Sequence, residues 1–166
     1  MKLMDLNEEV DRDFGRAVRR AWRRRLVLRL RGKPSACGAS PLFAEVRGSL
    51  RAFNQLRLGT RVVDPGEIVG SVGRNGDFDA CFMPLRGALA ERWKRVDLAF
   101  HQDRVLPPVS LYKVGDAYFV EDGNHRVSVA RFHGVPALDA EVTELQPAWR
   151  GSLDAPRVKR PEKRAA

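Results

Sequence analysis

Apolar residues recur at spacings of three and four between Leu6 and Leu30. Val10, Phe14, Ala17, Val18, Ala21, Trp22, Leu26 and Leu30 form one stripe, and only Gly15 interrupts a run of helix-tolerant residues. That period predicts a long amphipathic helix. Glu8, Glu9, Asp11 and Asp13 fall early in it, and Arg19, Arg20, Arg23, Arg24, Arg25, Arg29 and Arg31 fall late, the order that the helix dipole favours. Gly32-Lys33-Pro34 supplies the stop. After a loop from Ser35 to Ser40, the placement of Leu42, Val46, Leu50 and Phe53 predicts a second helix from Pro41 to about Leu56.

The pattern changes near Gly59. Arg61-Val62-Val63 has the β-branched content of a strand, Asp64-Pro65-Gly66 reads as a turn, and Ile68-Val69-Gly70-Ser71 is a second short apolar piece. Leu89, Trp93, Val96, Leu98, Ala99 and Phe100 predict a helix over Ala88 to His101, ended before Leu106-Pro107-Pro108. Val109 to Val114 and Ala117 to Val120, joined by Gly115-Asp116, carry the strongest hairpin signal in the chain. Asp122-Gly123-Asn124 then leads into a helical segment from His125 to His133, for which Gly134 is the expected C-terminal cap. Ala137 to Thr143 alternates as a closing strand.

These elements divide the 166 residues into a basic helical extension over 1–58, a mixed α/β domain over 59–146 and a tail over 147–166. The last seventeen residues, rich in Lys, Arg, Ala and Pro without apolar periodicity, are expected to be disordered. No internal repeat or low-complexity segment stands out.

Charge sharpens this division. The chain carries +9 overall, and residues 1–60 contribute +8, residues 61–149 contribute −3 and residues 150–166 contribute +4. Attraction to DNA or an anionic surface is therefore expected from the two ends, with Arg19, Arg20, Arg23 and Arg24 as the contact candidates. The plainer and favoured reading packs the stripe of Val18, Trp22, Leu26 and Leu30 on the domain or on a partner subunit and leaves the arginines solvated. Two cysteines, Cys37 and Cys81, exclude a disulfide framework and point to free thiols in a reducing cytoplasm. No apolar run is long enough to span a membrane, and no signal-peptide pattern opens the chain. No cluster has metal-ligand spacing, so no metal ligands are expected. Asp77 and Asp79 are expected to be solvated turn residues, Cys81 apolar filling and His133 a surface group at a helix end.

The chemistry gathers at Asp122 to Arg126. A turn from a strand into a helix directs free N–H groups and the positive end of the helix dipole at one spot, a natural place for phosphate. Gly123 allows close approach of the backbone. His125 and Arg126, cations in a first helical turn, suit an anion between them, and Arg126 can grip a phosphate with two hydrogen bonds. Asn124 can donate or accept, and Asp122 can act as helix cap, metal-contacting carboxylate or general base. The plainer reading makes Asp122 a cap, Gly123 the turn, and His125 and Arg126 a solvated surface.

The order of helix, Leu-Pro-Pro-Val strand, Tyr-Phe-Val strand, Asp-Gly-Asn-His-Arg turn, Val-Ser-Val-Ala-Arg helix and Gly134 resembles the ParB/sulfiredoxin superfamily over about half the chain. Val63 to Ser71, followed by Arg74, looks like the opening strand and Arg-bearing loop of ParB N-terminal domains. The resemblance implies an α/β fold of that kind, a small mixed sheet with helices, here preceded by N-terminal amphipathic helices. ParB proteins carry Gly-Glu-Arg-Arg at the turn, which places nucleotide phosphates against Gly123, Asn124, His125 and Arg126, with Arg74 alongside. Sulfiredoxins carry Gly-Cys-His-Arg, and Asn124 stands where their reactive cysteine would be, so the thiolate route to sulfinic acid reduction is absent. The resemblance further implies CTP or ATP with Mg²⁺ as the bound cofactor of a regulatory or DNA-associated module. Centromere recognition through a following helix-turn-helix domain is not expected, because only a basic tail follows Leu145. Other members suggest a nuclease or phosphotransferase, in which Asp122 would hold Mg²⁺, His125 would move a proton and Arg126 would steady the phosphoryl charge. A third reading is a scaffold without a ligand whose N-terminal helix binds a protein.

Overall fold

The predicted hairpin is the centre of the molecule. In the computed structural model, which describes residues 3–32, 43, 53–73 and 76–147, strand β3 (Val109–Val114) pairs antiparallel with β4 (Ala117–Asp122) across Gly115-Asp116. Alternation sends Val109, Leu111 and Val120 to one face and Val114, Ala117 and Phe119 to the other, and all six are buried. In a buried hairpin the free N–H and C=O groups of the two outer edges need partners as well. These are β2 (Ile68–Ser71), parallel to β4, and β5 (Leu138–Pro147), parallel to β3. Strand β1 (Phe53–Val63) pairs antiparallel with β5 and completes a five-stranded mixed sheet in the order β1-β5-β3-β4-β2.

Three helices accompany the sheet among the described residues: α1 (Leu3–Leu30), α2 (Ala90–His101) and α3 (Asn124–His133). Helix α3 follows β4 directly, and its Val127 enters the core with Val63, Ile68, Val109, Leu111, Val120, Ala140 and Val142. Its other side, Val129 and Phe132, joins Trp93 of α2 and Ala17 and Ala21 of α1 in a helical core. Trp93, fully buried, donates from Nε1 to Ser128 Oγ at 2.8 Å, which satisfies both polar atoms and fixes α2 against α3. The opposite face of the sheet packs Val69, Phe119 and Leu145 with Phe43, whose ring stacks on Tyr112 at 5.3 Å.

Arg131 of α3 clasps the sheet's entry. Its guanidinium donates to Pro65 O at 2.6 and 2.9 Å and to Ile68 O at 2.5 Å, and lies 4.9 Å from the Phe82 ring centre. Burial pushes its pKa down, and the carbonyls around it supply the hydrogen bonds that water no longer can.

Several expectations need correcting. The second helix was expected to reach Leu56, but Phe53 to Leu56 already belong to β1, where they pair with Glu144 to Pro147, and residues 44–52 lie outside the described residues. In α1 the buried line is Leu6, Val10, Asp13, Ala17 and Ala21, whereas Trp22, Leu26 and Leu30 of the expected stripe are 62%, 41% and 79% exposed. Phe14, Ala17 and Ala21 are the α1 residues that pack in the helical core with α2 and α3. Asp79 is not a solvated turn residue: it is fully buried, accepts from Arg24 at 2.5 Å and from the N–H groups of Cys81 and Met83, and so organises the turn around Phe82. Cys81 is half-buried, and burial first of all pushes its thiol pKa up, consistent with filling. The C-terminal tail lies outside the described residues apart from Pro147. No helix of the described residues is long and apolar enough to cross a membrane.

Candidate functional site

The chain leaves β4 at Asp122 and must turn at once into α3, because the strand and the helix are both anchored in the core. Gly123 makes that turn as the residue before the helix, with φ of +101°. No side chain caps the helix there, so of the roles open to Asp122 that of N-cap is not the one adopted. The first intrahelical bond runs from Val127 N–H to Gly123 O at 3.0 Å, so the N–H groups of Asn124, His125 and Arg126 stand ahead of it at the positive end of the helix.

These residues form one wall of a cleft of about 450 Å³, within the size range of small-ligand sites. Asn124 is 8% exposed, yet its Oδ1 is buried and meets no hydrogen-bond donor. His125 is half-buried with its ring edge-on to Phe78 at 5.4 Å, so it is no loose surface group. Across the cleft, α2 contributes Arg92, Arg95 and Val96. Val72 and Gly73 close another side, immediately before Arg74, which lies outside the described residues.

Arg126 takes a different position from that of a freely offered guanidinium. Nη1 donates to Pro107 O at 2.5 Å and Pro108 O at 2.7 Å, and Nη2 donates to Asp122 Oδ2 at 2.6 Å. It therefore ties the approach to β3 to the end of β4 and neutralises Asp122, whose side chain is 76% exposed. Positive charge facing the cleft comes instead from Arg92 and Arg95, both exposed, the latter hydrogen-bonded to Glu91 at 2.9 Å. The sequence reading missed this pair, although Arg-x-x-Arg around the buried Trp93 puts both on one helix face.

The four arginines of α1 expected to contact DNA separate into two kinds. Arg20 donates to Phe132 O at 3.1 Å and lies 4.6 Å over the Phe132 ring, and Arg24 pairs with buried Asp79, so both dock the helix. Arg19 and Arg23 are exposed.

A buried amide oxygen without a donor, an uncapped helix N-terminus and two guanidinium groups across a cleft suit a ligand that carries both negative charge and hydroxyl or amino donors. A second polar group was also missed. His133 does not face solvent at a helix end but sits with Asp13, Asp97 and His101, the first two fully buried. Its members are distant in sequence, and only the Asp97/His101 spacing of four residues was legible.

No protein-family model and no curated protein matches the sequence. Among solved structures, the chain is similar to sulfiredoxin from Arabidopsis thaliana, with 17% identity and a TM-score of 0.37 over 50% of this chain and 82% of that one.

Proposed function

We propose that the protein is a nucleotide- or phosphate-binding module whose ligand sits in the cleft at the start of α3, with a regulatory or DNA-associated role. The observation that carries this reading is the uncapped N-terminus of α3 opening onto the cleft beside the orphaned Asn124 Oδ1. Phosphate oxygens would accept from the first N–H groups of α3, and a ligand hydroxyl or amino group would donate to Asn124. Arg92 and Arg95 would close on the charge from α2. CTP or ATP with Mg²⁺ is the ligand class to test first. The exposed Arg19 and Arg23 on α1 would supply weak contact with DNA phosphates.

Arg126→Ala is a poor probe, because it also releases Pro107, Pro108 and Asp122. The informative variants are Arg92→Ala and Arg95→Ala, which remove exposed side chains. Calorimetry with CTP, ATP and GTP, with and without Mg²⁺, is expected to give binding by the wild type. Loss of a charge-assisted contact should weaken it by about 10- to 100-fold in each variant. Absence of heat with every nucleotide overturns the nucleotide reading, and analysis of products in the same samples separates a binding module from a nuclease or phosphotransferase.

A further inference from the structure

Helix α3 has a second polar group at its other end, roughly 13 Å of helix away from the cleft. Asp13 of α1, Asp97 and His101 of α2 and His133 of α3 each offer one ligand atom, and these atoms all lie within 4.8 Å of one another. Asp13 and Asp97 are 1% and 0% exposed. His101 Nε2 stands 3.0 Å from Asp13 Oδ2 and 3.7 Å from Asp97 Oδ2, and His133 Nε2 stands 2.6 Å from Asp97 Oδ1. Asp97 Oδ2 is buried and accepts no hydrogen bond. Phe100 stacks on the His133 ring at 4.3 Å and helps to wall the group off.

Two carboxylates taken out of water need compensation. Arg16 offsets Asp13 from the exposed side; the imidazoles can offset the remaining charge only by carrying a proton, whereas one divalent cation draws in both carboxylates and takes the imidazoles neutral. Four ligands about 2.1 Å from a tetrahedral ion lie about 3.4 Å from one another. The separations of 2.6, 3.0 and 3.7 Å straddle that spacing. Two nitrogens and two oxygens, with no thiolate, suit a borderline divalent ion, while calcium and magnesium prefer larger all-oxygen shells. Arg16 pairs with Asp13 Oδ1, so Oδ2 remains the oxygen nearer His101 and available to the ion.

We propose that Asp13, Asp97, His101 and His133 form a closed, four-ligand structural site for a divalent transition metal, zinc above all, which staples α1 to α2 and α3. Each helix contributes at least one ligand, so the ion would hold the N-terminal helix on the domain independently of any nucleotide in the cleft.

The test uses untagged full-length protein purified without chelator. Elemental mass spectrometry is expected to find one zinc per chain. After stripping with chelator, zinc is expected to rebind in calorimetry and raise the melting temperature, and cobalt in its place should give the visible absorption of a tetrahedral ion. Asp97→Asn and His133→Gln should each weaken zinc binding by more than about 100-fold, since even supporting partners of metal ligands contribute 10- to 100-fold. A folded wild type that takes up no zinc, with no heat and no change in melting, overturns the site and leaves an ion-paired network in its place. Undiminished affinity in both variants overturns the ligand assignment. If neither variant folds, a wild-type cobalt spectrum without tetrahedral bands overturns it equally.

Discussion

Position 123 carries two demands at once. Its backbone lies at φ +101°, where a side chain is strained, and a Cβ there would stand 2.7 Å from Val109 Cγ1 and 3.1 Å from Val109 Cβ. Val109 is itself fixed in the core at 1% exposure and has no room to retreat. Backbone strain and overpacking act in the same direction, so Gly123→Ala should lower stability by roughly 2–5 kcal/mol. Urea unfolding measures this, and an alanine variant within about 0.5 kcal/mol of the wild type would contradict it. The neighbouring Arg126 shows why residue type alone underdetermines role. Arginine at the start of a helix reads as an anion grip, but Pro107 and Pro108 leave two carbonyls within its reach and Asp122 lies four residues back. The side chain is used three times over before any ligand arrives.

At the scale of elements, β3 and β5 run parallel, and Lys113 on one reaches Glu144 on the other at 2.8 Å. The hydrogen bond from Lys113, joined by one from Gln146, holds the Glu144 carboxyl below its ordinary 4.5, and the same contact raises the Lys113 ammonium above its ordinary 10.5. A depressed carboxyl stabilises the fold above its unfolded pKa and loses that contribution as pH falls through the folded value. A raised ammonium does so below its unfolded pKa and loses it as pH rises. The stability advantage of the wild type over Glu144→Gln should therefore be flat between about pH 4.5 and 10.5 and shrink on either side. Denaturant melts across that range check it, and a difference that does not vary with pH would show the pair to be inert. The hairpin, α2, α3 and its Gly134 end were all legible because each rests on local period or turn chemistry. The start of β1 was not. Leu50 and Phe53 repeat at a helical spacing, and only the partner strand β5, some ninety residues later, reveals Phe53 as the first residue of a strand. The Asp13, Asp97, His101 and His133 group was hidden for the same reason, since three helices must pack before their polar atoms meet. At the cleft, Gly123 and Asn124 were legible from the turn, while Arg92 and Arg95 required knowing which face of α2 looks across.

For the whole molecule, charge and architecture are divided differently from one another. The sequence concentrates +8 in residues 1–60 and −3 in residues 61–149, yet α1 is packed into the helical core with Ala17 and Ala21 buried. Part of its positive charge is consumed in that docking, by Arg24 on Asp79 and Arg20 on Phe132. The two arginines are anchors, and replacing them would confuse loss of fold with loss of binding. Arg19 and Arg23 are exposed and leave the docked face intact when removed, so they isolate the electrostatic proposal. If both lie on DNA phosphates, each releases close to one counterion on binding. The double variant Arg19→Ala/Arg23→Ala should then reduce the magnitude of the slope of log Kobs against log salt by about 1.8, with weaker affinity at every salt concentration and no preference among duplex sequences. Fluorescence anisotropy with a short labelled duplex, run at several salt concentrations, gives that slope directly. An unchanged slope would mean that this face of α1 does not lie on the phosphates, and that its exposed Trp22, Leu26 and Leu30 are better examined as a surface for another protein.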